Sequence, residues 1–133
     1  MNESNTEVPM AKILFADTDI SMREMMELIL KDQFRVVTVR TGEEGLEHAK
    51  TEGPFDIVIA SFTLLGMNGL EFLRRVNEAN PETVRILMTG GCSDQYDLNQ
   101  AVRDGHISRV VLKPFNLSVL REQLRQDMTK VTL

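Results

Sequence analysis

The sequence predicts an α/β fold, a doubly wound parallel sheet of five strands with helices on both faces. Three observations predict it. Five short apolar runs alternate with five amphipathic stretches at a spacing of about twenty-five residues, and βα alternation builds parallel sheets. The central run, Asp56-Ile57-Val58-Ile59-Ala60, is β-branched and apolar without period-2 alternation, as a strand covered on both faces reads. The residues that directly follow four of the strands, Asp17, Ser61, Thr89 and Lys113, are charged or hydroxylic, and they fall at the edge where open α/β sheets bind ligands.

Bulk composition fits this class. A chain of 133 residues suits one domain with a core of its own, and 42% hydrophobic with 26% charged residues is the balance of a soluble globular protein. No apolar run approaches the ~20 residues of a membrane-spanning helix, and the amino end has no signal-peptide pattern, so a cytoplasmic location without membrane contact is expected. The single cysteine, Cys92, excludes an internal disulfide and a cysteine-built metal cage, and reads as a small loop residue. A net charge of -5, scattered Arg and Lys, and only six Phe and one Tyr argue against direct nucleic-acid binding.

Residues 1–10 are polar and unpatterned, contain Pro9, and read as a flexible arm before a domain at 11–128 and a tail at 129–133. Lys12 to Ala16 is the first strand. From Ile20 to Lys31, Met22, Met25, Met26, Ile29 and Leu30 form one broad helical stripe, with the methionines as core filler and Asp19 as the helix cap. Arg35 to Val39 is the second strand, and Thr41-Gly42-Glu43-Glu44 opens a helix through about Lys50 as a capping box. Gly53-Pro54 breaks that helix and the central strand follows, stopping at Ser61. Asn68-Gly69-Leu70-Glu71 has the spacing of a second capping box, and the helix it opens turns Leu70, Leu73 and Val76 inward until Asn80-Pro81 ends it. Val84 to Met88 is the fourth strand, closed by Thr89. A fourth helix is expected from about Ser93 to Gly105, with Leu98, Ala101 and Val102 as its apolar face. Arg109 to Leu112 is the fifth strand, and Leu117, Leu120 and Leu124 give the last helix its stripe. The expected strand order is the flavodoxin-like 2-1-3-4-5, with its switch point between the first and third strands.

The stretch from Asp56 to Leu70 resembles the centre of the receiver domain of bacterial two-component response regulators. In that family the strand ends in the aspartate that accepts a phosphoryl group, and the loop runs through Met-Pro to Gly-Met-Asp-Gly. Here the aspartate position is Ser61, the proline position Leu65 and the Asp of Asp-Gly is Asn68. The resemblance extends from about Lys12 to Asp127. It implies that Asp17 is the first of the family's acidic pair, Thr89 the hydroxyl residue that contacts the phosphoryl group, and Lys113-Pro114 the lysine followed by a cis-proline. It also implies that Thr18 stands for the second acid and Val110 for the aromatic rotamer switch. The segment from Arg85 to Phe115 resembles, more loosely, receivers attached to cyclic-dinucleotide phosphodiesterase modules.

Phosphotransfer needs a carboxylate nucleophile and Mg²⁺ to neutralise charge on the moving group, and Mg²⁺ takes oxygen ligands that include one or two carboxylates. With Ser61 and Thr18 in place of two acids, no useful Mg²⁺ site, no other cofactor and no catalytic residue are expected. Asp56 cannot stand in, because at ~3.3 Å per strand residue it lies roughly 16 Å away at the other end of the sheet. Neither His48, inside a helix, nor His106, in a turn, is placed to activate Ser61; both read as solvent-facing. A β-branched valine at position 110 cannot swing as an aromatic ring would.

The favoured reading is therefore a degenerate receiver, a protein-interaction module of a phosphorelay pathway that does not depend on phosphorylation. Its expected partners are signalling proteins or an output domain. The fourth helix, fifth strand and fifth helix would form the partner or homodimer face, where Arg103, Arg109, Arg121 and Arg125 beside Asp97, Asp104 and Asp127 suit either salt-bridged association or plain solvation. Two alternatives stand beside it: a working phosphorylatable switch, and a small-molecule module using the strand-end pocket as flavodoxin-like folds use it for FMN. Against the latter, there is no Trp to stack on a flavin and no glycine-rich loop after the first strand.

Overall fold

The computed structural model describes residues 10–91 and 96–132, with backbone alone for 129–132. Five strands alternate with five helices: β1 (Ala11–Ala16), α1 (Ile20–Leu30), β2 (Phe34–Val39), α2 (Gly42–Glu52), β3 (Ile57–Ser61), α3 (Gly69–Ala79), β4 (Val84–Thr89), α4 (Leu98–Arg103), β5 (Arg109–Leu112) and α5 (Leu117–Thr132). All strand pairs are parallel and the sheet order is β2-β1-β3-β4-β5, as the alternation predicts.

Side chains of successive strand residues point to opposite faces, and each face is buried by its own helices. Ile13, Phe15, Ile57, Ile59, Ile86 and Met88 meet Met26 and Leu30 of α1 and Leu120 and Leu124 of α5. Leu14, Ala16, Val58, Ala60 and Leu87 meet Leu70, Phe72, Leu73 and Val76 of α3 and Ala101 of α4. Every residue of β3 is buried, which explains its unbroken apolar run.

Small residues decide how closely the layers approach. A Cβ on Gly45 would lie 2.6 Å from the Phe72 ring, so this glycine makes room for a fully buried phenylalanine. Phe72 lay outside the predicted stripe of α3 because it points toward α2 rather than straight at the sheet. Truncating it to Ala would cost about 3–5 kcal/mol.

The helix starts are capped by the expected side chains. Asp19 Oδ1 accepts from Ser21 N at 2.9 Å, Thr41 Oγ1 from Glu44 N at 3.1 Å, and Asn68 Oδ1 from Glu71 N at 2.9 Å. The glutamates of the two boxes act differently from the prediction. Glu44 Oε1 accepts from Arg40 N, one residue before the cap, and Glu71 turns forward to Arg75.

Boundaries also move. Ser61 is the last residue of β3 rather than the first beyond it, Asp56 precedes the strand, and α5 continues through Thr132 into the stretch read as a tail. The fourth helix is shorter than expected, starting at Leu98 behind its cap Asp97; Ser93 and Cys92 lie outside the described residues, as does the arm apart from Met10. Asp56 sits at the opposite sheet edge from Ser61, where its Oδ2 accepts from Lys12 N at 2.8 Å.

Candidate functional site

The strand register brings four side chains to one edge. Ala16 pairs with both Val39 and Ala60, Ser61 with Met88, and Thr89 with Leu112, so Asp17, Ser61, Thr89 and Lys113 end neighbouring strands or follow them. The backbone continues this alignment: Asp17 N donates to Val39 O, Phe62 N to Met88 O and Lys113 N to Thr89 O, at 2.7 to 3.1 Å. Asp17, Ser61 and Thr89 are 4%, 3% and 4% exposed. Together with Thr18, Thr63 and Lys113 they line a pocket of about 220 Å³.

Three of these residues form a closed triangle. Ser61 Oγ donates to Asp17 Oδ2, Lys113 Nζ donates to Ser61 Oγ at 2.8 Å, and Lys113 Nζ reaches Asp17 Oδ2 at 3.2 Å. Asp17 Oδ1 meanwhile accepts from Asp19 N at 2.9 Å. Both oxygens of the buried carboxylate are thus in use, which is what keeps a charge tolerable at that depth.

The triangle bears on reactivity. An ammonium group occupies one lone pair of Ser61 Oγ, and the group accepting its proton is a carboxylate rather than an imidazole or another stronger base. Neither arrangement prepares a serine hydroxyl for attack at neutral pH. Thr89 Oγ1 accepts from Gly91 N at 3.2 Å and so fixes the turn after β4.

The remaining predicted positions are less involved. Thr18 is exposed at the pocket rim, and Val110 is half-buried in β5 against the α3–α4 face of the sheet. His48 pairs with Glu52 one helical turn away, while His106 offers its backbone carbonyl to Arg85. Neither histidine lies among the residues lining the pocket.

Three neighbours of the site were not singled out in the sequence. Arg23 donates through a terminal nitrogen to Asp17 O at 2.8 Å. Its signal was present: a cation near the start of α1 opposes the helix dipole and needs a compensating acceptor. Phe62, next to Ser61, meets Tyr96 edge-on with ring centroids 5.1 Å apart, and Asn68 Nδ2 donates to the Tyr96 hydroxyl at 3.3 Å. Asn68 therefore caps α3 with its oxygen and holds the residue before Asp97 with its nitrogen. No periodicity marks Tyr96, because it lies outside the helix that follows.

On the α4–β5–α5 face the expected salt-bridging charges are largely engaged within the chain. Arg109 clasps Asp127 through two contacts of 2.8 Å, Arg125 pairs with Glu122, Asp97 caps α4, and Gln100 links Asp104 and Arg103. Leu112, Val119 and Val102 stand exposed there. Arg109 and Asp127 thus pair with each other, and the pair fastens α5 to β5.

Residues 13–125 match the family model of the response regulator receiver domain. The chain is 29% identical over 116 residues to the hydrogenase transcriptional regulatory protein HoxA of Cupriavidus necator, covering 87% of this chain and 24% of that protein. It is 32% identical over 123 residues to the transcriptional regulatory protein YkoG of Bacillus subtilis, covering 89% and 53%. Among solved structures it is similar to the chemotaxis response regulator CheY4 of Vibrio cholerae, with a TM-score of 0.76, 29% identity, and 89% and 98% of the two chains covered. The chain thus spans from a quarter to about half of these two curated relatives. Among the described residues no helix is long and apolar enough to cross a membrane.

Proposed function

Since the chain belongs to the response regulator receiver family, we propose that it serves two-component signalling as an interaction module that does not use aspartyl phosphorylation. The observation that supports this best is the hydroxyl at the end of β3. Ser61 donates to Asp17 and accepts from Lys113, so the position that would receive a phosphoryl group carries no carboxylate and its hydroxyl is already engaged.

The oxygen donors fit Mg²⁺ poorly. A divalent cation would meet one carboxylate, Asp17, whose oxygens are taken up by the Asp19 amide, Ser61 and Lys113, with hydroxyls as the other lining donors. Mg²⁺ demands an octahedral shell with strong oxygen donors, and an ammonium group 3.2 Å from the carboxylate opposes it. The strand-end pocket is also smaller than the roughly 300 Å³ at which small-molecule sites begin, which argues against a flavin there. On this reading the triangle holds the fold in one state, and signalling depends on what the module binds. The exposed apolar side chains of Leu112, Val119 and Val102 are then open to a signalling partner, an output domain or a second copy.

The test is phosphotransfer from a small acyl phosphate with Mg²⁺, read by intact mass, on the protein and on a Ser61→Asp, Thr18→Asp double variant. A phosphoryl adduct on the variant alone is expected. An adduct on the unmodified protein would make it a working switch and overturn the reading.

A further inference from the structure

At the opposite edge of the sheet from Ser61, the ends of α2 and α3 leave a groove of about 620 Å³ between them. This lies within the roughly 300–1,000 Å³ range in which small ligands bury most of their surface. Phe55, Val58 and Val76 supply apolar walls, themselves buried, and Ala49 and Ala79 lie along the groove with little side chain to fill it.

The polar lining is one-sided. It includes Lys50 and Arg75 but no Asp or Glu, in a chain where 20 acidic residues outnumber 15 basic ones. Lys50 has no partner among the described residues, and the side-chain amide of Asn80, also in the lining, has none either. Arg75 gives its Nε to Glu71 at 3.0 Å, and its terminal nitrogens remain available. Thr83 is committed, its hydroxyl donating to Phe55 O at 2.7 Å. The groove therefore presents cationic and amide donors without acidic acceptors beside an apolar slot.

We propose that this groove binds a small amphiphilic monoanion, an apolar carboxylate whose head meets Lys50 and Arg75 and whose chain lies against Phe55, Val58 and Val76. The attraction has two parts of different kind: burial of the chain, which any apolar molecule would gain, and pairing with cations, which selects the anion. The site is independent of the strand-end pocket, since no residue lines both.

Titration calorimetry with decanoate tests it, with decanol as the uncharged counterpart and phosphatidylglycerol vesicles as the membrane source of the same chemistry. Decanoate is expected to saturate one site and decanol to bind at least about tenfold more weakly. Lys50→Glu should weaken decanoate by about tenfold or more, and Ala79→Leu, which fills the groove, should abolish binding. Circular dichroism verifies that both variants fold; if Ala79→Leu does not, Lys50→Glu, which alters an exposed and unpaired side chain, decides alone. The proposal is overturned by absence of decanoate binding in the millimolar range, by decanol binding as tightly, by unchanged affinity in Lys50→Glu, or by binding to vesicles alone.

Discussion

Asp17 and Glu44 illustrate two ways in which this chain uses a carboxylate. Asp17 is buried and spends its oxygens on a backbone amide, a hydroxyl and an ammonium group, so its charge is neutralised where it stands. Glu44 lies near the surface and is held below the usual carboxylate range, chiefly by the backbone N–H of Arg40 and then by the Arg40 guanidinium. Its folded pKa is thus lower than its unfolded one. The stability it contributes is fully present above the ordinary value of 4.5 and is lost as pH falls through the folded value. Glu44→Gln should therefore destabilise the fold slightly at neutral pH, by under about 1 kcal/mol for so exposed a pair, and the difference should vanish in acid. Parallel melting curves of the two proteins against pH check this. The residues of the strand-end site were legible in the sequence because each falls at the end of a short apolar run. Their mutual contacts were not: the Ser61–Asp17 link joins residues 44 apart and depends on the register of β1 against β3.

Between elements, the tightest junction is the one that seats α3 beneath the site. Gly69 N donates to Phe62 O at 2.7 Å, and a Cβ on Gly69 would lie 2.1 Å from Ser61 O. No rotamer can relieve a clash with backbone, so Gly69→Ala must push the start of α3 away from the end of β3. A loss of about 1–3 kcal/mol is expected in chemical denaturation. The same substitution should disturb the Ser61 hydroxyl, visible as chemical-shift changes at Asp17 and Lys113 in an NMR spectrum. The Asn68-Gly69 pair could be read from sequence as a helix start, since Asn caps helices. That the glycine is demanded by Ser61 O, and not by the cap, required the packing of β3 against α3. Phe72 is a similar case, visible as apolar but placed only once Gly45 had shown where space exists.

Across the whole molecule, Arg85 fastens the amino edge of the sheet. Its guanidinium is buried without a carboxylate and donates to four backbone carbonyls, those of Pro81, Thr83, Gly105 and His106, at 2.6 to 3.1 Å. Burial lowers its pKa from the ordinary guanidinium value, and the fork of five donors is what lets one side chain join the α3–β4 and α4–β5 connections. Arg85→Lys keeps the charge but not the fork, and should cost about 2–4 kcal/mol of unfolding free energy in chemical denaturation, beyond the range of ordinary surface changes. In sequence this arginine was an interruption in an apolar strand, and only the tertiary fold shows the carbonyls that it serves. Tyr96 is the sole tyrosine in a chain without tryptophan, and it stands between Phe62 and Asn68 at the end of β3. The intrinsic emission of this protein therefore comes from a single place, so that any event reaching the end of β3 or the start of α4 is reported optically, without a label and without background from elsewhere in the chain.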